Sequence, residues 1–169
     1  DVSGTQEYAA DDLYYLNLGA SYKLIWSGSA WVTDPDGHVK IEQYGSSSEC
    51  GVLSLNSTPD CRWKVTTPDG TQHLFGVGTT YAYQDGGMAT RYVVSSWAVQ
   101  TITDTHGNTI NYTYSVVDNT EGGLTSHAWI YPQAITYPEA SMSAVTFITS
   151  TRNDDTSFGA GQYGDWKID

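Results

Sequence analysis

Two carboxylates separated by one residue, in Asp34-Pro35-Asp36-Gly37, have a spacing that suits a calcium ion, which takes six to eight oxygen ligands. No Glu stands where an EF-hand loop would need it, so the segment reads first as a turn with solvated Asp side chains, with calcium as the alternative. Asp154-Asp155 after Arg152 reads the same way, as a local ion pair or loop acceptor. Glycoside hydrolysis needs two opposed carboxyl groups, and Glu42, Glu49, Glu121 and Glu139 sit in no motif that would pair them. His38, His73, His106 and His127 show no metal-binding spacing, and no Gly-x-Ser-x-Gly elbow accompanies them. The expectation is a chain with no catalytic residues and no cofactor.

Cys50 and Cys61 are the only cysteines, and the segment CGVLSLNSTPDC holds no His or further Cys to complete a zinc site. A disulfide fits better. In the chain-entropy model, closing so short a loop contributes about 2–3 kcal/mol and calls for an oxidising compartment. Sequons at Asn56 and Asn111 agree with secretion, and a glycan on Asn111 would need the outer face of a strand. Flat rings at Trp31, Trp63, Trp97, Tyr81 and Tyr83 suit either of two uses. They are packing anchors beside turns, or a platform on which sugar rings stack. The repetition of the Trp residues at equivalent places favours packing.

These residues must be positioned by strands. Six Trp and thirteen Tyr against three Phe and two Met suit half-exposed sheet faces better than a helical core. Turn signals at Gly19, Ser27-Gly28 and Asp36-Gly37 separate predicted strands at Leu13–Leu18, Tyr22–Trp26, Ala30–Thr33 and His38–Tyr44. Further strands are predicted at Arg62–Thr66, Thr71–Phe75, Tyr92–Thr103, Thr109–Tyr114, Trp129–Tyr137 and Ala144–Thr149. Gly76–Thr90 reads as an irregular connection and Val116–Ser126 as a loop. The fold class is all-β: an antiparallel meander of hairpins forming a curved sheet or an open barrel or sandwich. Residues 1–12 read as an arm or linker, 13–150 as the β-module and 151–169 as an extended tail. Within that tail Trp166 and Ile168 mark an unfinished strand whose edge is available for assembly.

A net charge of −12 repels phosphate backbones and anionic headgroups, so nucleic acid is not an expected partner. No apolar run approaches the roughly 20 residues of a spanning helix, so membrane insertion is not expected either. No leader stands at Asp1, and the expectation is a soluble, processed chain.

Between Trp63 and Gly76 the chain reads WKVTTPDGTQHLFG, and from Trp97 to Ser115 it reads WAVQTITDTHGNTINYTYS, with a looser copy in WVTDPDGHVKIEQYG. This order resembles the N-terminal β-modules of Rhs and YD-repeat proteins, a group that includes SpvB-like proteins, the B components of insecticidal toxin complexes and teneurins. The first pattern is carried by Trp63, Val65, Thr66, Asp69, Gly70, Thr71, Phe75 and Gly76, and the second by Trp97, Val99, Ile102, Asp104, Gly107, Asn108, Ile110, Tyr112 and Tyr114. Tyr131, Ile135 and Tyr137, then Val145, Phe147, Arg152 and Asp154, match the strands that follow. The cysteine loop departs from the bacterial members, and no run of true Tyr-Asp repeats is present. The resemblance implies a secreted or cell-surface scaffold that coils into a shell, pairing with further copies or flanking segments of the same protein. A carbohydrate-binding module and a polysaccharide hydrolase are the alternatives.

Overall fold

The computed structural model describes residues 13–45, 54–55, 61–84, 90–121, 123–137, 144–151 and 166–168. Among them there is no helix. The strands are β1 (Tyr14–Asn17), β2 (Ser21–Trp26), β3 (Trp31–Asp34), β4 (Lys40–Tyr44), β5 (Ser54–Leu55), β6 (Arg62–Thr66), β7 (Gln72–Gln84), β8 (Thr90–Thr103), β9 (Thr109–Glu121), β10 (Leu124–Thr136), β11 (Val145–Thr146), β12 (Thr149–Thr151) and β13 (Trp166–Ile168). β1 to β11 form one antiparallel sheet in which neighbours follow chain order, except that β5 is set aside on the edge of β8. A separate ribbon pairs β12 with β13. The meander expected from the sequence is present, and the edge at Trp166–Ile168 is occupied on one side by Thr149–Thr151.

Alternation sets which side chains face inward. Leu16 on β1, Leu24 on β2, Ile41 on β4, and Trp63 and Val65 on β6 are buried and pack together with Cys61. The rows Tyr14↔Leu24↔Thr33 and Gln43↔Trp63↔Phe75 follow the period of two along one face. In a flat sheet β1 and β8 would stand six strand spacings apart, about 29 Å. The Tyr14 and Trp97 rings instead meet at 5.9 Å, so the sheet curls until its first strand faces β8. It does not close: β1 pairs with β2 alone, and no ladder joins it to β8 among the described residues.

Two predicted irregular stretches are strands. β7 continues through Gly76 and Gly78 to Gln84, with register shifts around Phe75 and Thr79. Both glycines lie under close neighbours: a Cβ on Gly76 would displace the side-chain amide of Gln100, and one on Gly78 would stand 3.0 Å from Cδ1 of Ile130 and 3.2 Å from the Ser96 carbonyl oxygen. Packing of β10 across β7 thus replaces the loop expected after Gly76. The predicted loop Val116–Ser126 is the far end of the β9–β10 hairpin, paired from Leu124↔Glu121 onward, with Gly123 at φ 83° in the turn. Asp118, Thr120 and Thr125 are exposed, and Thr120 Oγ1 and Thr125 Oγ1 lie 3.0 Å apart across the ladder.

Candidate functional site

The curled wall gathers the rings that the sequence singled out. Trp31 and Trp63 meet edge to face at 5.4 Å, and so do Trp63 and Trp97 at 5.9 Å, while Tyr14 touches all three at 5.6 to 5.9 Å. Such contacts add about 0.5–1.5 kcal/mol each beyond the area they bury. Trp63 is only 5% exposed and has no open face for a sugar, and Trp97 Nε1–H donates to the Cys61 carbonyl at 3.1 Å. The rings therefore form one packed cluster. Beside it lies a cavity of about 350 Å³ whose wall includes Leu16, Trp63, Phe75 and Trp97 and whose rim includes Tyr15 and Ser95. Its lining draws on β1 through Tyr14–Asn17 and on β8 through Ser95–Trp97.

Two turns at one end of the wall are built alike. Thr67 N–H donates to Thr71 O at 2.9 Å and Gly70 N–H to Thr67 O at 2.8 Å; Asp104 N–H donates to Asn108 O at 3.0 Å and Gly107 N–H to Asp104 O at 3.1 Å. Gly70 at φ 87° and Gly107 at φ 86° occupy the left-handed position of a three-residue hairpin loop. Each turn holds its Asp as an acceptor. Asp69 receives Thr67 Oγ1–H at 2.5 Å and Thr71 Oγ1–H at 2.9 Å, while Asp104 receives His106 N–H at 2.8 Å and Asn108 Nδ2–H at 2.6 Å. The Thr67 hydroxyl holds the Asp69 carboxyl below its ordinary value, and the Asn108 amide does the same for Asp104. These carboxylates brace turns, which is what accepting hydrogen bonds from neighbouring backbone achieves.

The upstream turn differs. Asp34-Pro35 is cis, Gly37 N–H donates to Thr33 Oγ1 at 2.8 Å, and His38 takes the positive φ of 53°. Asp36 is occupied by His38, through the backbone N–H at 2.8 Å and the ring Nδ1 at 3.0 Å. Among the described residues no group of three His, Cys, Asp or Glu converges on a point, around Asp34 and Asp36 or elsewhere.

Of the other predicted positions, Tyr81 is 45% exposed on β7, and Asn111 is exposed on β9 between Thr101 and Thr136. Tyr83 pairs through its backbone with Arg91. Cys61 is fully buried, and no free thiol occurs among the described residues. Cys50, Asn56, Arg152, Asp154 and Asp155 lie outside them, as do the side chains of Tyr83, Trp166 and Ile168. Sequence reasoning missed two rings. Tyr14 is the hub of the cluster, and Trp26, half exposed at 54%, is the most exposed tryptophan among the described residues. For Trp26 the available signal was its place just before the Ser27-Gly28 turn.

A family model described as Salmonella virulence plasmid 65kDa B protein, SpvB, matches residues 36–157. This chain belongs to the SpvB family. No curated protein and no solved structure matches it. The SpvB match begins at the cis-proline turn and runs past β12, so it takes in both twin turns together with Trp63 and Trp97. Tyr14, Trp26 and Trp31 lie ahead of it. The SpvB-matched strands therefore complete their aromatic cluster with residues from β1 and β3.

Proposed function

We propose that this SpvB-family chain is a secreted or cell-surface, non-catalytic β-scaffold of the Rhs/YD-repeat type that works by assembly or encapsulation. The carrying observation is the unclosed gap between β1 and β8. A sheet that curls through most of a barrel and stops leaves strand edges, and strand edges recruit extended segments. The partners are further copies or flanking segments of the same protein. A disulfide between Cys50 and Cys61 would fix the loop before β6 in an oxidising compartment, in line with the full burial of Cys61.

The test is sedimentation across a wide range of protein concentration, combined with amide hydrogen exchange. On this reading the mass rises above 18.4 kDa with concentration, and protection of Tyr14–Asn17 or Ser95–Gln100 rises with it. A mass that stays constant, together with polysaccharide hydrolysis lost on changing one Asp or Glu, would replace the scaffold with an enzyme.

A further inference from the structure

We propose that the cavity inside the curled wall binds a small, uncharged aromatic molecule. Such a site is independent of assembly and needs no strand edge. Protein cores hold few voids larger than a water molecule, yet this one measures about 350 Å³, at the lower end of the size range of small-molecule sites. Strands from both ends of the curl build it: Tyr14 and Leu16 come from β1, Leu24 from β2, Trp63 from β6, Phe75 from β7 and Trp97 from β8.

The chemistry of the lining selects the occupant. Among the described residues no Asp, Glu, Lys, Arg or His lines the cavity, so nothing there offsets the desolvation of a charged ligand. The serine hydroxyls and the Trp97 indole N–H are already engaged. Ser95 Oγ and Ser96 Oγ lie 2.8 and 2.6 Å from Thr79 Oγ1, Thr79 N–H donates to Ser96 Oγ at 3.2 Å, and Trp97 Nε1–H donates to the Cys61 carbonyl. No buried side-chain nitrogen or oxygen among the described residues lacks a partner. Water settles in a cavity when several polar groups there bond it, so this lining favours an apolar guest over a water cluster.

The rings set the shape of that guest. Trp63 stands at 86° to Trp97, and Tyr14 is tilted at 55° to the one and 57° to the other, so the wall offers an aromatic face beside an aromatic edge. A flat ring entering the cavity meets them in the edge-to-face geometry, with centroids about 4.5–7 Å apart, that the cluster already uses within itself. A guest of one or two fused rings stays within the volume.

The full chain should be titrated with indole and naphthol as neutral probes and with naphthoate as their charged counterpart, followed by calorimetry and by NMR shifts of the tryptophan indole N–H groups. The expected result is saturable binding of at least one neutral probe at millimolar concentration or below, with naphthoate weaker by about tenfold or more because its carboxylate must shed water. Leu16→Phe narrows the cavity from β1 and Ser95→Phe from β8, and each should weaken binding about tenfold or more. Trp26→Ala removes a half-exposed ring outside the cavity and should leave binding unchanged. If circular dichroism shows that both filling variants disturb folding, the shifts of the unaltered chain decide: the Trp63 and Trp97 signals move and that of Trp26 does not. No saturable binding by either neutral probe, equal binding of naphthoate, or binding that is lost with Trp26→Ala and kept in both filling variants overturns the proposal. Binding with a mass fixed at 18.4 kDa leaves it standing and removes the assembly reading, whereas a mass that rises with concentration without binding does the reverse.

Discussion

The strands ahead of the SpvB match and those within it handle tryptophan in opposite ways. In β6 and β8, Trp63 and Trp97 both turn inward, each near one end of a hairpin whose turn is closed by the same two backbone hydrogen bonds. In β2 and β3, Trp26 and Trp31 sit directly across from each other, yet one is half exposed and the other is wedged against Trp63. The twin hairpins are built to be walls. The leading strands both finish that wall, through Tyr14 and Trp31, and present a surface of their own. A family match can thus mark the repeated framework while part of the core and the most exposed tryptophan among the described residues lie outside it.

That division of labour is most exposed to substitutions in the cluster. Trp63→Ala removes the ring that touches Tyr14, Trp31 and Trp97, and should destabilise by about 3–5 kcal/mol, read from chemical denaturation. Tyr14→Ala, from the strand ahead of the match, should cost less, about 2 kcal/mol, because its ring is only partly buried. A double-mutant cycle sharpens the point. If β1 completes the core, the two substitutions are coupled by about 0.5–1.5 kcal/mol, and if β1 only rests beside it they add.

The twin turns allow a closer comparison, because they share their bonds but not their surroundings. A Cβ on Gly107 would meet nothing within 4 Å, whereas one on Gly70 would stand 2.7 Å from Cγ2 of Thr105 in the sister turn. Gly107→Ala should therefore cost only the left-handed backbone strain, about 1 kcal/mol. Gly70→Ala should cost about 1 kcal/mol more, since Thr105 must move. Equal losses would mean that the two turns are less tightly packed against each other than the structure has them.

The sequence announced these turns because Pro-Asp-Gly-Thr and His-Gly-Asn carry their own backbone chemistry. It announced the strands that alternate, and the antiparallel meander with them. The second half of β7 was not legible. Gly76 and Gly78 look like loop residues until Gln100 and Ile130 are found lying over them, which is a tertiary fact. The polar run after Val116 is a strand because it pairs along Leu124–Tyr131, again a matter of partners rather than propensity. Repetition beside turns already favoured packing for Trp31, Trp63 and Trp97, but that they meet in one cluster with Tyr14 follows only from the curling of the sheet. Trp26 was passed over because exposure within a hairpin depends on the register, which one strand alone does not specify.

A smaller effect separates the curled wall from the β9–β10 ribbon. The β8–β9 ladder holds only from Thr101↔Asn111 to Thr103↔Thr109, and just past it Tyr114 OH donates to the Val99 carbonyl at 2.7 Å. Tyr114→Phe should cost about 1 kcal/mol, through the donor lost and the carbonyl left partly unpaired. Hydrogen exchange should then speed up in β9 more than in β6. Uniform acceleration would mean that the ribbon and the wall open as one unit.

Acidification gives the most graded test, because it acts on both twin turns and spares the aromatic cluster. The folded state lowers Asp69 through the Thr67 hydroxyl and Asp104 through the Asn108 amide, both from an ordinary value of 3.8. A depressed carboxyl contributes stability that is fully present above that value and is lost as pH falls through the folded one. His73 is lowered from 6.5 mainly by burial, with Asp69 opposing. The unfolded chain therefore takes up that proton first, and stability begins to decline as pH falls through 6.5. The expected profile is a shallow first loss that His73→Gln removes, followed by a second loss below about pH 4 that Asp104→Asn reduces. Because these carboxyls face water, the second loss should shrink in high salt less for Asp104, held down first by the Asn108 amide with only a minor charge contribution from His106, than for Glu42, held down by hydrogen bonds from the Lys64 and Lys40 ammonium groups. An acid transition insensitive to both substitutions would place the pH-labile contacts outside the two turns and return the comparison to the strands ahead of the match.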